Sequence, residues 1–511
     1  MPESNRLPPP DRPVQPDSSP RRRGHSATAV AAEPSSPSRP GTSVATPRDT
    51  APGWPGGTRR TARRQRTGCD LLGALAIASV VVVVALWAYN QGIQSLSLGL
   101  AGSDSFGRLA GLLASDLMLL QVLLMARIPW VERAWGHDVL ARRHRLLGMA
   151  SFWFMMAHVV LITVEYAQHD GLSILAQLWQ FQFDQRGVLV ATVGTVLLIM
   201  VVGLSIRAAR RRLRYESWHL LHLYTYLGMG LALPHQVFAG SEFNNSLPAR
   251  IYWWTLYGAA LAAVLVFRLG LPGWRSAYHR LRVLAVVPEA PGVVSVLIRG
   301  HRLDRLPARA GQFFLWRFLD GPGWTRANPY SLSAQPSRDQ LRLTVQAVGD
   351  GSNRVSRLKP GTRVLIEGPY GALTADRRRN RRVLLIAAGV GITPMRALLE
   401  ELPYHHGEAT LLYRVTKPDG AVFTDELADL TASRGVRVHY LAGPRRRAAS
   451  WLPAGSGAEL TDAEHLKRLV PDVADRDVLL CGPSPWMAAV RAAAREAGVP
   501  AEHLHSEDFA W

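Results

Sequence analysis

Six apolar segments, each about twenty residues long, constrain most strongly what this chain can fold into. They lie near 69–90, 108–126, 144–166, 187–206, 217–238 and 251–271. A helix needs ~20 apolar residues to cross the ~30 Å hydrocarbon layer of a bilayer, and only helices and closed barrels satisfy their backbone hydrogen bonds there. The sequence therefore predicts a bundle of six transmembrane helices.

Arginine is distributed unevenly between the loops that join these segments. The chain has 59 Lys and Arg against 39 Asp and Glu, a formal net charge of +20, and only three lysines. Such a charge often indicates nucleic-acid binding, but these arginines cluster beside apolar segments. They precede the first segment and fill alternate loops. This predicts a multi-pass protein of the cell membrane with both termini in the cytoplasm. We expect the cell to be bacterial. The arginines in these loops and after the sixth segment are Arg127, Arg133, Arg142, Arg143, Arg145, Arg207, Arg210, Arg211, Arg212, Arg214, Arg275, Arg280 and Arg282.

Four histidines form two pairs inside the apolar segments. His144 and His158 are fourteen residues apart in the third segment, and His222 and His235 are thirteen apart in the fifth. Fourteen residues separate two side chains by ~21 Å along a helix and only ~40° around it. Ionisable residues within a membrane helix mark a functional site by default. Pairing by depth predicts two metal-cofactor sites, most simply two haems, held by His144 with His222 and by His158 with His235.

The second pair is harder to place, because thirteen residues leave its members ~140° apart around an ideal helix. The fifth helix must bend or unwind, or its ligands must approach from different sides. Gly228, Gly230 and Pro234 are places for a distortion. His219, one turn before His222, competes with it as a ligand. The alternative is that these histidines are hydrogen-bonded between helices.

One acidic residue, Asp116, lies inside the second apolar segment. It could carry protons or hydrogen-bond a haem group. The alternative is a polar contact between helices. The only cysteines are Cys69 and Cys481, which are too few for a Cys₄ iron–sulfur cluster and too far apart for a disulfide framework.

Composition divides the chain into four parts. Residues 1–67 are rich in Pro, Ser, Thr and Arg and predict a disordered cytoplasmic tail, and residues 68–272 form the predicted membrane domain. Residues 276–376 contain short strands with turn signals, which predict a small antiparallel β-barrel. Residues 380–511 alternate apolar strands with helical stretches, which predicts an α/β domain with a parallel sheet. The fold class is therefore multidomain.

Two turns of the α/β domain carry a nucleotide-binding pattern. Gly389 and Gly391 follow one strand directly and precede a helix, where glycines allow a backbone to approach a dinucleotide. A second strand ends at Cys481 and Gly482, before another helix. Alone, the first pattern is weak, because a tight structural turn has the same residues. Ligands bind such sheets at the carboxyl ends of their strands, so together the turns favour a nucleotide site.

The barrel carries two further motifs. Asn328–Ser333 reads N-P-Y-S-L-S, in which an aromatic ring beside hydroxyl groups can stack on and hydrogen-bond a flat heterocycle. An ordinary turn followed by a strand is the alternative. A Gly-rich turn then opens a short helix at Ser352, with Arg354 nearby. The amino end of that helix could hold a pyrophosphate.

The paired histidines, N-P-Y-S-L-S, G-V-G-I-T-P and C-G-P, in this order, resemble the ferric reductase and NADPH oxidase superfamily over residues 69–511. Thirteen is also the usual second histidine spacing there. The resemblance implies a six-helix membrane domain with two b-type haems, joined to a cytoplasmic ferredoxin-reductase-like module that binds FAD and a nicotinamide nucleotide. The site residues that it implies are His144, His158, His222 and His235 for the haems, Tyr330, Ser331, Ser333, Gly351, Ser352, Phe509 and Trp511 for FAD, and Gly389, Gly391, Thr393, Pro394, Arg414, Cys481 and Gly482 for the nucleotide.

The sequence departs from this family at Asn328, where relatives carry His or Arg, and Arg326 is the nearby substitute. Arg414 matches a position that meets the 2′-phosphate of NADPH, which favours NADPH over NADH. The chain contains no EF-hand pattern, so calcium control is not expected.

The resemblance implies electron transfer from cytoplasmic NADPH through FAD and two haems to an external acceptor, with no residue acting as a general acid or base. Oxygen, giving superoxide, and ferric iron are both possible acceptors. The external loops carry few basic residues, only Arg186 and Arg250. This mildly favours oxygen or a neutral acceptor. The alternatives are an electron-relay subunit that serves a partner protein and a transporter with a regulatory nucleotide domain. The sequence leaves open the acceptor, the oligomeric state and the role of the tail.

Overall fold

The structure is a computed structural model. It describes residues 57–94, 101–206, 215–240, 243, 246–447, 449–457 and 459–507, and the predictions for residues 1–56, for the loop 207–214 and for Phe509 and Trp511 lie outside them.

Six long helices dominate the first half of the described chain, with shorter helices beside them. The long helices are α1 (Gly57–Tyr89), α2 (Ala101–Met125), α4 (His137–His169), α6 (Val188–Ser205), α7 (Tyr215–Ala239) and α8 (Leu247–Ala263), and the short ones are α3 (Pro129–Trp135), α5 (Ile174–Asp184) and α9 (Leu271–His279). A π-helical segment, Val264–Gly270, joins α8 to α9.

Five helical spans among the described residues are long and apolar enough to cross a membrane: Thr67–Tyr89, Asp104–Met125, Val139–His169, Val188–Ser205 and Leu247–His279. Helix α7 is not among them. Its histidines, together with Glu216 and Gln236, make it more polar than the others. The sixth crossing therefore stays a prediction.

The surface of these helices is the kind that faces hydrocarbon. Large apolar side chains that a water-soluble domain would bury are largely exposed, for example Leu75 at 65%, Ile77 at 68% and Leu261 at 61%. Contiguous exposed apolar surface of this kind marks contact with a membrane or a partner. On helices of this length, it fits a lipid-facing side.

Glycines allow the long helices to approach each other closely. A Cβ on Gly194 of α6 would lie 2.6 Å from the carbonyl oxygen of Gly228 on α7. A Cβ on Gly111 of α2 would lie 2.7 Å from Nδ1 of His158 on α4. Small residues at such contacts are the usual way that membrane helices pack. The backbone of α2 and α6 is therefore brought next to the helices that carry the paired histidines.

Two three-stranded antiparallel sheets follow, in the orders β1-β2-β5 and β4-β3-β6. Isolated bridges pair Arg282 with Arg363 and Leu332 with Leu343, and the two sheets enclose one core. The predicted antiparallel strands are confirmed, and their closure into a barrel stays a prediction. The strands are β1 (Arg282–Ala290), β2 (Val293–Arg299), β3 (Phe313–Phe318), β4 (Asn328–Ser331), β5 (Gln340–Gln346) and β6 (Val364–Tyr370), with helix α10 (Asp350–Val355) between the last two.

The last part of the chain contains a five-stranded parallel sheet in the order β11-β10-β7-β8-β9. The predicted parallel α/β sheet is therefore confirmed. Its strands are β7 (Val383–Ala388), β8 (Ala409–Val415), β9 (Arg437–Ala442), β10 (Asp477–Cys481) and β11 (Leu504–Ser506), and its helices are α11 (Ile392–Glu401), α12 (Thr424–Arg434), α13 (Asp462–Leu469) and α14 (Ser484–Glu496).

Charged side chains join the helical region to sheet β4-β3-β6. Arg268, in the π-helical segment, lies 3.3 Å from Glu367 of β6, and the Tyr370 hydroxyl donates to the same carboxylate at 2.9 Å. The guanidinium of Arg127, after α2, lies 4.2 Å from the centre of the Tyr370 ring and 2.6 Å from Glu132. We name these five residues the junction cluster.

A second group of charged side chains joins strand β5 to the α/β domain. Arg342 of β5 donates to both carboxylate oxygens of Glu426 on α12, at 2.7 and 2.9 Å. Arg396 of α11 lies 2.5 Å from the same carboxylate. A bidentate pair fixes orientation as well as distance, so the two domains are held in one relative position.

Candidate functional site: two histidine pairs and a nucleotide module

The histidines of α4 and α7 meet in the two pairs that depth predicted. The ring centroids of His144 and His222 are 5.9 Å apart, and those of His158 and His235 are 6.3 Å apart. Two imidazole nitrogens bound to one metal at ~2 Å each place their ring centroids about 6 Å apart. The spacing of both pairs therefore fits a metal between the rings, as in a haem with two histidine ligands.

Hydrogen bonds to Nδ1 of two rings fix which nitrogen carries the proton. Nδ1 of His158 lies 2.8 Å from the Gly107 carbonyl, which can only accept, so Nδ1 carries the proton. The Ser205 hydroxyl donates to the Val201 carbonyl and therefore accepts from Nδ1 of His222, at 3.3 Å. In both rings the lone pair is left on Nε2. This is the arrangement by which proteins prepare a histidine to bind a metal.

The histidines of α7, the fifth predicted membrane helix, differ in their surroundings. Nδ1 of His235 is buried without a hydrogen-bond partner, an unusual state for a structural histidine and one that a ligand would explain. His219 interacts electrostatically with Arg268 and Glu367 of the junction cluster. His222, and not His219, faces His144. The residues present therefore fit two haems, and on α7 it is His222 that lies opposite His144.

Helix α7 does not unwind between its two histidines. It runs unbroken from Tyr215 to Ala239 with Pro234 inside it, one residue before His235. A proline ring within a helix removes one backbone hydrogen bond and favours a bend. Of the possible distortions, unwinding is therefore wrong, and Pro234 lies where a bend would reorient His235.

Gly351 of α10, predicted for FAD, lines a cavity of about 340 Å³ beside Asn328 of β4, and Arg326 and Arg354 line it as well. The other residues predicted for FAD on described positions, Tyr330, Ser331, Ser333 and Ser352, are not among its lining residues. Arg354 is held by Asp320, with Nε 2.7 Å from the carboxylate. The cavity lining is completed by Phe318, Pro322, Gly323, Asp350, Val355 and Leu358. Arg326 is thus available for the phosphate contact that Asn328 cannot make.

Other residues predicted for FAD have structural contacts as well. The Ser352 hydroxyl accepts from the backbone N–H groups of Val348 and Gly349, at 2.9 and 3.0 Å, and so caps α10. Ser333 is fully buried, and its hydroxyl accepts from Thr344 at 2.7 Å. Ser331 is buried as well.

Tyr330 is half-buried in β4, next to these residues. Its pKa is raised to about 12 by burial, so it is a neutral phenol at physiological pH. A neutral ring on this strand is suited to stack on a flat heterocycle, as the sequence predicted.

The nucleotide motifs meet at the carboxyl ends of three neighbouring strands. Gly391, after β7, has no room for a side chain, because a Cβ there would lie 2.3 Å from the carbonyl oxygen of Cys481 on β10. Gly389 has a φ of +53°, which favours glycine, and a Cβ there would have no neighbour within 4 Å. A Cβ on Gly482 would lie 2.9 Å from the ring of Trp486. The open surface above Gly389 lies where such sheets bind ligands.

Arg414, Thr393 and Pro394 lie beside this surface but are largely buried. The Arg414 guanidinium donates to the backbone carbonyls of Val415, Leu441 and Gly443, the last two at 3.1 and 2.6 Å. These bonds leave Nε–H and one terminal N–H for a ligand. The Thr393 hydroxyl donates to the Val390 carbonyl at 2.9 Å.

The end of the described chain is tied to the loop after β6. The Glu507 carboxylate accepts from the backbone N–H of Ala372 at 3.0 Å. Phe509 and Trp511, predicted to cover the flavin, lie beyond the described residues.

Comparison with known proteins supports this division of the chain. Residues 110–233 match the family of the ferric reductase like transmembrane component, and residues 385–492 match the oxidoreductase NAD-binding domain. The chain therefore joins a ferric-reductase-like membrane component to a ferredoxin-reductase-type FAD and NAD module. This arrangement is similar to the fusion of the ferric reductase and NADPH oxidase type that the motifs predicted.

Individual relatives match slightly less than half of the chain. The ferredoxin reductase component of 3-ketosteroid-9-alpha-monooxygenase from Mycolicibacterium smegmatis is 32% identical over 239 residues, 45% of this chain and 65% of that protein. NADH oxidoreductase HCR from Escherichia coli is 30% identical over 230 residues, 43% of this chain and 65% of that protein. The chain thus spans slightly less than two thirds of each relative. Among solved structures, the FAD/NAD binding domain of nitric oxide dioxygenase from Vibrio cholerae is similar at 25% identity, covering 45% of this chain and 98% of that one, with a TM-score of 0.34.

Sequence reasoning missed the groups that support the histidines and join the domains. Gly107 and Ser205 contact His158 and His222 from other helices, and Arg268 meets Glu367 across about a hundred residues of chain. No spacing rule links such pairs, because each is set by packing between elements. For α2, the glycines along the second apolar segment were the one sequence signal that this helix packs closely against another.

Proposed function

We propose that this protein carries electrons across a membrane, from a cytoplasmic nicotinamide nucleotide to an acceptor on the other side. FAD and two b-type haems supply the redox chemistry when bound. The observation that carries the proposal is the pairing of four histidines at 5.9 and 6.3 Å, at two levels of one helix pair, in a chain that also contains a reductase module.

The histidines hold and orient the haems in this proposal. His144 and His222 would form the inner site and His158 and His235 the outer one, with His158 and His222 binding through Nε2. Two histidines would hold each haem, which would supply electron transfer towards an acceptor outside the membrane. The described chain contributes spacing, ligand basicity and exclusion of water, and no general acid or base.

The reductase half would hold its two ligands at the cavity and at the glycine turns described above. The cavity beside Asn328 and Gly351 takes the flavin phosphates, with Arg326 and Arg354 supplying positive charge. The turns at Gly389–Gly391 and Cys481–Gly482 admit the nucleotide backbone, and Cys481 lies nearest the nicotinamide.

The donor is NADPH if Arg414 uses its two remaining N–H groups on the 2′-phosphate. A second candidate is NADH, favoured by the three carbonyl bonds that already hold Arg414 and by the relative named NADH oxidoreductase. The two donors differ only at the 2′-position, so the ratio of kcat/KM for NADPH and NADH measures what Arg414 contributes.

The acceptor is oxygen, which would give superoxide, or a ferric chelate. The alternatives of an electron-relay subunit and of a transporter with a regulatory nucleotide domain make different predictions. A relay subunit would need a partner protein before oxygen or ferric citrate is reduced. A transporter would contain no haem.

The first test is an anaerobic visible spectrum of the purified protein before and after NADPH is added. We expect reduced low-spin haem bands together with bleaching of flavin absorbance. His222→Ala should lose about half of the bound haem, and His219→Ala, the matched control one turn away, should keep all of it. Reduction by dithionite alone would contradict the assigned donor, and absence of haem would contradict the whole proposal. Haem loss in His219→Ala but not in His222→Ala would contradict the assigned ligand.

A further inference from the structure

Three oxygen atoms from three membrane helices meet beside α2. The Asp116 carboxylate oxygen Oδ1 lies 2.7 Å from the Ser79 hydroxyl on α1 and 2.6 Å from the Tyr252 hydroxyl on α8. The two hydroxyl oxygens are themselves 2.8 Å apart. The three atoms therefore form a closed triangle of hydrogen-bond distances.

The group is isolated from water and from compensating charge. Asp116 is fully buried, and its second oxygen, Oδ2, has no hydrogen-bond partner. The groups that face it from α1 and α8 are the two hydroxyls, and no ion pair to it is found among the described residues. On the α4 side of α2, Ser151 donates to the Ala114 carbonyl instead. An ionised carboxylate there would be very costly, because its charge would have neither solvent nor a cation.

The number of hydrogens that the three contacts need is a second argument that Asp116 is uncharged. Three oxygen–oxygen contacts within 2.8 Å need three hydrogens between them, one for each contact. Ser79 and Tyr252 have one hydroxyl hydrogen each. If Asp116 were ionised, both would point at Oδ1, and the two hydroxyl oxygens would face each other with lone pairs only. A protonated Asp116 supplies the third hydrogen and allows a cyclic arrangement in which each oxygen donates once and accepts once.

The depth of the triangle in the membrane domain follows from a contact between α2 and α4. Ser151, seven residues from both His144 and His158, contacts Ala114, two residues before Asp116. Asp116 is therefore about midway between the levels of the two histidine pairs. Two residues correspond to ~200° around a helix, so the Asp116 side chain leaves α2 on the side away from α4.

We propose that Asp116, Ser79 and Tyr252 form an intramembrane proton-binding site in which the Asp116 carboxyl holds the proton at neutral pH. The site takes one proton per carboxylate and becomes neutral, with the proton on Oδ1. A neutral Asp116 between the two histidine levels carries no negative charge. It therefore does not repel an electron that passes from one level to the other. This consequence rests on the proposed function, whereas the proton site itself does not.

The test is infrared difference spectroscopy on the purified full-length protein at neutral pH, without added nucleotide. Asp116→Asn should remove a carbonyl band of a protonated carboxylic acid, and Asp429→Asn, at an exposed position of α12, should remove only carboxylate bands. Tyr252→Phe leaves the acid in place but deletes one hydrogen bond, so it should move the same carbonyl band. Loss of carboxylate bands in Asp116→Asn, or an acid band that Tyr252→Phe does not move, would overturn the proposal.

Redox titration of the same variants supplies a second readout. Asparagine has the shape of aspartic acid and no charge, so Asp116→Asn should leave the haem midpoint potentials close to those of the unmodified protein. A clear rise in both potentials would mean that a negative charge had been removed, and the proton assignment would be wrong. A protein without haem would contradict the proposed function but would still give the infrared result.

Discussion

At the scale of single residues, the two histidine pairs differ in how firmly their rings are held. His158 donates to a backbone carbonyl at 2.8 Å, which no substitution of a side chain removes. His222 depends on the Ser205 hydroxyl at 3.3 Å, a longer and weaker contact. The ring of His158 is therefore held by the stronger of these two hydrogen bonds.

His137 at the start of α4 is the residue with the clearest pH dependence. Burial, followed by the positive charges of Arg127 and Arg268, lowers its pKa from 6.5 to about 3. Arg127 lies 3.1 Å from Nδ1, and a guanidinium can only donate, so Nδ1 accepts and the ring is neutral. The unfolded chain binds a proton below pH 6.5, and the folded protein does not until about pH 3. The stability that His137 contributes is therefore fully present above pH 6.5 and is lost as the pH falls.

This predicts that acid weakens the junction cluster through His137. Between pH 6.5 and 5 the free energy of unfolding should fall by up to ~1.4 kcal/mol per pH unit from this residue, and His137→Asn should remove that part of the slope. The measurement is the apparent Tm in detergent at pH 7.5, 6 and 5. His169→Asn, at the exposed other end of α4, is the control and should keep the full slope. Equal slopes in both variants would contradict the assignment.

At the scale of elements, the position of α7 depends on its contact with α6. Gly194 and Gly228 let the two backbones meet, because a Cβ on Gly194 would lie 2.6 Å from the Gly228 carbonyl oxygen. Backbone cannot move aside as a flexible side chain can. Any side chain at Gly194 must therefore push α7, and with it His222 and His235, away from α6.

Gly194→Ala should accordingly weaken haem binding without touching a ligand. Overpacking at a close contact costs about 1–3 kcal/mol, so we expect a lower Tm and incomplete haem retention after purification. The measurement is the ratio of haem to protein. Gly203→Ala, on the same helix with nothing within 4 Å of the added Cβ, should have the haem content of the unmodified protein. Full retention in Gly194→Ala would show that α7 is held elsewhere.

At the scale of the whole molecule, the junction cluster determines how the reductase module sits under the helices. Glu367 is bound by Arg268 at 3.3 Å, by Arg317 at 3.5 Å and by the Tyr370 hydroxyl at 2.9 Å. It is also almost fully buried. Removing one partner of a buried charge pair is costly, because the other charge stays desolvated. Docking of the two halves is therefore sensitive to this single carboxylate.

Glu367→Gln should separate the two halves of the electron path. It keeps the shape and the contact with Tyr370 but loses both ion pairs, so electron delivery from nucleotide to haem should slow by roughly tenfold or more as the halves lose their alignment. Reduction of a soluble dye by NADPH, which needs only the reductase module, should stay unchanged. Stopped-flow absorbance measures both rates. Asp376→Asn, in an exposed ion pair with Arg309, should affect neither. An equal loss of both rates would indicate damage to the module itself.

Local patterns were sufficient for much of the fold and of the site. The length of the apolar segments predicts membrane helices, and the spacing of His144 and His158 predicts one ligand at each level. The alternation of strands and helices after residue 380 predicts the parallel sheet, and that topology brings Gly391 next to Cys481. These features depend on periodicity within one element or on a general rule for strand ends.

The sequence by itself determined which residues are available: four histidines at two depths, a set of glycine turns and one acid inside the second apolar segment. The tertiary structure decided which partners they meet. It placed His222 rather than His219 opposite His144, held Arg414 with backbone carbonyls, and brought Ser79 and Tyr252 to Asp116. The physical reason is that a helix or strand fixes the order of its own side chains, whereas contacts between elements are selected by packing across long stretches of chain.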